Sequence, residues 1–498
     1  MARPCILSID QGTTSSRAIA FDATPSIVAL AQREFPQIYP APGLVEHDPE
    51  AIWSTTLEVA SEVAAAVARR GFDVAAIGIT NQRETTVVWD RETGRPIHNA
   101  IVWQDRRTAE ACERLRAAGL EPEIHARTGL LIDPYFSASK LRWLLDTVDG
   151  ARAGAETGRL AFGTIDTFLI WRLTEGTVHA TDPTNACRTG LYNIHEMDWD
   201  DELLRIYDVP HRLLPEVRDC DADFGVAAAR LIGTAVPIRG VAGDQQAAAI
   251  GQCCFRDGDI KCTFGTGSFV VLNTGERPVA SRNRLLTTVG SRIAGTTQYA
   301  LEGSIFVAGA AVQWLRDGLG VIDDAAQTER LAAGLADNGG VYLVPAFTGL
   351  GAPHWRADVR GAIFGLTRDS GPAQLARAAL EAVGFQTHDL LRVMAEDGVK
   401  PVALKVDGGM AANDWFVRFL AGVLDLPVDR PRIVETTALG AAYLAGRGAG
   451  VFGSREQFAD EWQREARFEP AWPRAERERL LAGWRESVDR LLYRPPPR

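Results

Sequence analysis

The sequence predicts an α/β protein in which mixed β-sheets are flanked by helices and one fold is used twice. Three observations predict it. A hairpin near the start leads into strands that alternate with helical segments. A second hairpin of the same kind recurs about 250 residues later. The length of 498 residues, 46% of them hydrophobic, suffices for two sizeable cores.

The elements follow in order. Residues 4–10 form a short apolar run, residues 11–16 a polar hydroxyl-rich turn and residues 18–21 a second apolar run, which together read as a hairpin. Residues 26–34 are a third strand. Asp48-Pro49 then opens a helix with apolar residues at Ile52, Trp53, Leu57, Ala60, Val63, Ala64 and Val67, stopped by Gly71. Strands are expected at 74–80 and 85–89. In the second half, residues 259–264, the turn Gly265-Thr266-Gly267-Ser268 and residues 269–273 repeat the hairpin. Residues 403–406 are a strand running into Asp407-Gly408-Gly409, followed by helices at 413–424 and 436–445. The tail at 494–498, Arg-Pro-Pro-Pro-Arg, is expected to fray.

Charge and composition exclude several classes. A net charge of −11 argues against a general nucleic-acid or anionic-membrane binder and leaves small molecules as partners. Only Lys140, Lys261, Lys400 and Lys405 are lysines among 53 basic residues, and no Gly-Lys dipeptide occurs. A Walker A loop, which needs that lysine, is therefore excluded. No apolar run approaches a membrane span, and the first residues lack the apolar core of a secretory signal, so a cytoplasmic protein is expected. Seven cysteines without a CxxC spacing read as reduced, buried thiols, the adjacent Cys253 and Cys254 included.

The first hairpin turn, Asp10-Gln11-Gly12-Thr13-Thr14-Ser15-Ser16-Arg17, has the makings of a nucleotide site. Gly12 permits close backbone approach, the amides and hydroxyls of Thr13, Thr14 and Ser15 donate to phosphate oxygens, and Arg17 adds positive charge. Asp10 suits a magnesium ion, which keeps several waters and needs one or two carboxylates beside substrate phosphates. An ordinary hydrogen-bonded turn fits the same residues.

Here the text resembles the FGGY carbohydrate kinases. Residues 10–17 are similar to the family's ATP-phosphate loop. So are, to its other blocks, Thr80-Asn81-Gln82-Arg83-Glu84-Thr85, Trp103-Gln104-Asp105-Arg106-Arg107, Asp133-Pro134-Tyr135-Phe136-Ser137, Gly243-Asp244-Gln245-Gln246, Phe264-Gly265-Thr266-Gly267, residues 345–353 and Val406-Asp407-Gly408-Gly409. The family's two signature stretches match residues 135–145 and 361–381. The resemblance implies two actin-like ATPase (ribonuclease H-like) domains, at 1–250 and 251–498, with the active site in the interdomain cleft and lobes that close on their substrates. It also implies ATP with Mg2+ as the phosphoryl donor system, glycerol as acceptor, and a homodimer or homotetramer. Nucleic acid and membrane insertion are not expected.

Carried onto this sequence, the resemblance assigns Arg83, Glu84, Trp103, Tyr135, Asp244, Gln245 and Phe269 to the acceptor. Their chemistry agrees: a three-carbon triol needs polar groups on several sides and an aromatic wall. Asp244 is the expected base for the acceptor hydroxyl, and Asp10 with Asp244 the metal pair. An N-cap role for Asp244 is compatible with that function. Thr13, Thr14, Ser15, Arg17, Thr266, Gly267, Gly309, Gln313, Gly409 and Asn413 are assigned to the nucleotide. Two alternatives stay open: another FGGY kinase acting on a pentulose, and a non-catalytic actin-like ATPase. Residues 219–240 contain no histidine and no glycine-rich basic loop, so the two kinds of regulation some family members use there are not expected.

Overall fold

The computed structural model describes residues 2–356 and 358–493, so the expected frayed tail lies outside the described residues. Two mixed sheets share one strand order. In the first, β1 (Arg3–Gln11), β2 (Ser15–Asp22) and β3 (Ile27–Glu34) run antiparallel. β4 (Phe72–Asn81) and β5 (Val236–Gly243) then add in parallel, giving β3-β2-β1-β4-β5. The second sheet opens with β6 (Ile260–Phe264), β7 (Ser268–Gly275), β8 (Leu286–Ile293) and β9 (Thr296–Ile305), an antiparallel group in which β9 lies between β7 and β8. β10 (Leu404–Asp407) and β11 (Val428–Pro431) extend it in parallel, so β9-β7-β6-β10-β11 repeats the first order. The echo between hairpins is thus a repeat of whole sheets.

Side-chain parity explains why β1 reads as an unbroken apolar run. Cys5, Leu7 and Ile9 pack with Ile52, Trp53, Val59, Val63 and Val67 of α1 (Pro49–Arg69). That helix starts where expected, with the Asp48 carboxylate accepting from the Glu50 amide at 2.9 Å and proline in its first turn. The other face of the sheet presents Ile6, Ile19, Phe21, Ala76 and Ala242. Both faces being covered, alternation of polar and apolar residues disappears.

What covers the second face comes from the other end of the chain. α4 (Thr436–Gly448) packs Ala438, Leu439, Ala442 and Tyr443 onto the first sheet, although α3 (Asp414–Leu424), just before it, packs into the second core. The approach is close because the sheet is small there: a Cβ at Gly78 would overlap the Ala441 carbonyl, and one at Gly240 would lie 2.5 Å from the Ala445 nitrogen. α2 (Asp244–Gly251) leaves β5 and crosses α4 with equally little room, Gly251 against the Thr436 carbonyl and Gly440 against that of Ala247. The expected boundary at 250/251 falls within the last turn of α2.

The segment between β4 and β5 builds its own core around Leu141, Leu144, Phe162 and Leu203. Residues Val87–Asp90, expected as a strand, pair there with Leu160–Gly163 and not with the main sheet. The redirection occurs at Glu84, whose φ of 60° turns the chain at a non-glycine residue. Among the described residues no helix is long and apolar enough to cross a membrane. All seven cysteines are free and buried, and burial pushes the Cys253 and Cys254 thiols up to about 12.

Candidate active site

The three parallel strands of the first sheet end at one edge. Register pairs Asp10 with Thr80, and Thr80 and Asn81 with Ala242 and Gly243, which brings Asp10, Arg83 and Asp244 together beyond the carboxyl ends of β1, β4 and β5. Ligands of open α/β sheets bind at such edges.

Arg83 is the centre of the acceptor side. Its stem crosses Gly243, where a Cβ would lie 2.7 Å from Cδ of Arg83, so glycine is required before Asp244. Nε of Arg83 lies 3.0 Å from the Asp244 carboxylate as an ion pair. Its other two nitrogens fork onto Glu302 at 2.6 and 3.1 Å. Glu84 takes a 2.6 Å hydrogen bond from Arg188, whose second nitrogen reaches Glu302 at 3.0 Å. Arg83 and Glu84 are therefore no surface ion pair: they lie 4.0 Å apart and are buried, each served by a different partner. Burial works to raise the Glu302 carboxyl, but Arg188 and Arg83 overcome it and hold it at about 2. Burial raises Glu84, against the pull of Arg188 and Arg83.

The left-handed backbone at Glu84 is held in place. Its carbonyl accepts from Ser137 at 3.0 Å and from Lys140 at 3.3 Å, and Lys140 also donates to the Tyr135 carbonyl at 2.5 Å. The stretch 135–145 thus fixes the backbone of Glu84 and Tyr135 through one buried ammonium, which burial brings down to about 8. Trp103 stands edge-on to Tyr135 at 5.7 Å and to Phe269 of β7 at 6.3 Å, forming an apolar wall that crosses between the halves. Gln245 is buried, its amide oxygen taken by Lys261 at 2.5 Å. Asp244 is the first helical residue of α2 and not its cap; its carboxylate accepts from the Gln245 amide at 2.7 Å and keeps 32% exposure toward the cleft.

The residues expected at the nucleotide lie on both hairpin turns, on the short helix that starts at Gly309 and beyond the end of β10. Gly12 donates its amide to the Ser15 carbonyl at 2.9 Å, closing the first turn. Thr14 is exposed and Thr13 and Ser15 half-buried beside it. Arg17 is engaged across the halves by Glu435, next to the start of α4, and donates to Gln32 at 3.1 Å. In the second turn Thr266 is exposed, and Gly267 is packed so that a Cβ would sit 2.6 Å from the Ile305 carbonyl. Gly309 lies against that turn with equal closeness to Gly265, and Gln313 is exposed at the end of the same short helix. Gly408 has φ +85° and no room for a side chain, whereas a Cβ at Gly409 would meet nothing within 4 Å. Gly408 shapes the turn, and Gly409 leaves an open face. The Asn413 side chain caps α3, accepting from the Phe416 amide at 2.9 Å.

Asp10 fits a hydrated divalent cation. It is half-buried, has Asp244 and Glu435 as like-charged neighbours and takes no hydrogen bond from another side chain, and desolvation lifts it to about 7 despite Arg17. Among the described residues no three His, Cys, Asp or Glu side chains form a metal cage. A pair of carboxylates facing two phosphate turns is what magnesium needs.

Sequence reading missed Glu302, Arg188, Lys261 and Glu435. The available signal was a single charge in apolar text, as in Tyr299-Ala300-Leu301-Glu302-Gly303.

Fold and site together define a two-lobed kinase, and the chain belongs to the FGGY family of carbohydrate kinases. The family's N-terminal domain matches residues 5–251 and its C-terminal domain residues 260–449. The chain is 65% identical over 494 residues to the glycerol kinase of Rhodospirillum centenum, with 99% of each chain covered. It is 58% identical to glycerol kinase 1 of Pseudomonas aeruginosa, with 98% of each covered. A crystal structure of Plasmodium falciparum glycerol kinase with ADP superposes with a TM-score of 0.93 at 35% identity, covering 99% of both chains. Xylulose kinase from Lactobacillus acidophilus shares the fold, with a TM-score of 0.89 at 23% identity over 98% of each chain.

Proposed function

We propose that this chain transfers the terminal phosphoryl group of ATP to glycerol, giving sn-glycerol 3-phosphate and ADP. The observation that carries the reading is the pairing of Arg83 with Asp244 at the strand edge that follows the first hairpin turn, with Glu84 beside Arg83 and a wall of Trp103, Tyr135 and Phe269, the last on the strand that leaves the second turn. Arg83 and Glu84 supply a donor and an acceptor for adjacent hydroxyls, and the aromatic wall covers the carbon edge. Asp244 orients the terminal hydroxyl and takes its proton as the oxygen attacks the γ-phosphorus; the bond from that phosphorus to the bridging oxygen breaks, leaving ADP. Thr13, Thr14, Ser15, Arg17, Thr266 and Gly267 hold phosphate oxygens, with Gly309, Gln313, Gly409 and Asn413 around the nucleoside. Asp10 and Asp244 would hold Mg2+, which neutralises phosphate charge when bound. We take residues 1–250 and 251–498 as the two lobes, the cytoplasm as the compartment and a homodimer or homotetramer as the assembly, on the family resemblance.

ADP formation is the test. With ATP and Mg2+, glycerol is expected to support turnover and xylulose and erythritol little or none. Turnover that needs no acceptor, or that prefers xylulose, would overturn the proposal.

A further inference from the structure

Glu302 lies in the middle of β9, opposite Val271 of β7 and Leu286 of β8, and is fully buried. An ionised carboxylate among such neighbours costs free energy unless it is paired on every side. It is so paired: the Arg83 fork closes on it at 2.6 and 3.1 Å, and Arg188 adds a third bond at 3.0 Å. Both arginines come from the first half of the chain and Glu302 from the second. Arg188 also has one buried nitrogen without a partner, so its charge is balanced by Glu84, Glu302 and the ring faces of Tyr135 and Phe136, 5.6 and 5.3 Å away.

Buried ionic networks are seldom the most stabilising filling for such a space. What this one does supply is geometry. Without Glu302 the Arg83 guanidinium would keep Asp244 as its only carboxylate within 3.5 Å, and would turn toward it. Arg188 would keep only Glu84.

We propose that Glu302 is a positioning residue for the acceptor site. From the second lobe it holds both terminal nitrogens of Arg83, so that only Nε faces Asp244, and through Arg188 it sets Glu84, so that the triol site is assembled only with the second sheet in place. This rests on the reading of Arg83, Glu84 and Asp244 as glycerol-handling residues.

The test uses the full chain as wild type, Glu302→Gln and Glu302→Asp, with initial rates over glycerol and ATP concentrations and thermal unfolding of each protein. Gln keeps the shape and removes the charge; Asp keeps the charge and withdraws it by one methylene. Glu302→Gln should raise KM for glycerol by about 10- to 100-fold while KM for ATP stays at the wild-type value, and Glu302→Asp should give a smaller rise of the same kind. An unchanged KM for glycerol in either folded variant would overturn the inference. So would a loss that affects both substrates alike and follows the drop in Tm, or failure of both variants to fold, since either assigns Glu302 to stability alone. A wild-type chain without glycerol-dependent turnover would instead overturn the underlying reading, and this inference with it.

Discussion

Both hairpin turns are closed by a main-chain bond of 2.9 Å, Gly12 to Ser15 and Gly265 to Gly267, but the first is further held by side chains reaching in from elsewhere: Gln37 and Trp103 donate to Thr13 at 3.0 Å, and Gln82 donates to the Gly12 carbonyl at 3.2 Å. The second is further held by main chain, the Thr266 carbonyl taking the amides of Ala308 and Ala310 at 2.9 and 3.0 Å. The strand order beneath the two turns is the same. The difference lies in what each turn is connected to. Trp103 belongs to the wall proposed for the acceptor, which would couple the first turn to the acceptor; Gly309 is proposed to face the nucleotide, which would couple the second to the donor. On that proposal, duplication of a fold supplied two similar turns, and the residues around them tie each to a different substrate.

Asp244 stands between the two, and its loss should have the largest effect. Asp244→Asn is expected to lower kcat by about 10²- to 10⁴-fold while glycerol still binds, as measured by ADP formation and by calorimetric titration with glycerol. A kcat near that of the wild type would remove Asp244 as the base and with it the meeting point of the two turns.

Next comes the charge at Asp10, below the first turn. Its folded-state value of about 7 exceeds the ordinary 3.8, so the native state binds more protons between these values than the unfolded state does. Stability from this group is complete below about pH 4 and is lost as pH rises through about 7. Asp10→Asn should therefore gain on the wild type by roughly 2–4 kcal/mol between pH 4.5 and 8 in the ligand-free protein, read by denaturant unfolding at both pH values. Asp166 and Glu381, also raised to about 7 by burial, remain in both proteins and cancel in the difference. A gap that does not change with pH would mean that Asp10 is not the strained charge.

Gly267→Ala tests the second turn. Its Cβ would press on the Ile305 carbonyl, costing about 1–3 kcal/mol of stability and raising KM for ATP by about tenfold, with KM for glycerol unchanged. Trp103→Phe is the smallest and most specific change. It removes the bond to Thr13 but keeps the wall, so about 1 kcal/mol is lost, roughly a fivefold rise in KM for glycerol. If that variant shifted KM for ATP instead, the first turn would be coupled to the donor and the contrast between the turns would collapse.

Much of the fold was legible because its determinants are local. The Asp48 cap, the apolar stripe of α1, the hydroxyl turn after Asp10 and the Asp407-Gly408-Gly409 turn all lie within a few residues of what they control. The acceptor residues were legible only by resemblance, since Arg83-Glu84 alone would pass for a surface pair. The destination of residues 85–89 was not legible, because strand propensity does not say which sheet a strand joins.

The sequence by itself determined an α/β chain with two hairpin-led sheets and no Walker lysine. Only the tertiary structure decided that α4 covers the first sheet, that Arg17 meets Glu435, and that Arg83 and Arg188 share Glu302. The reason is physical. A turn or a cap is satisfied by neighbours in the chain, whereas a buried charge must be satisfied by whatever the packing brings, here partners 114 and 219 residues away.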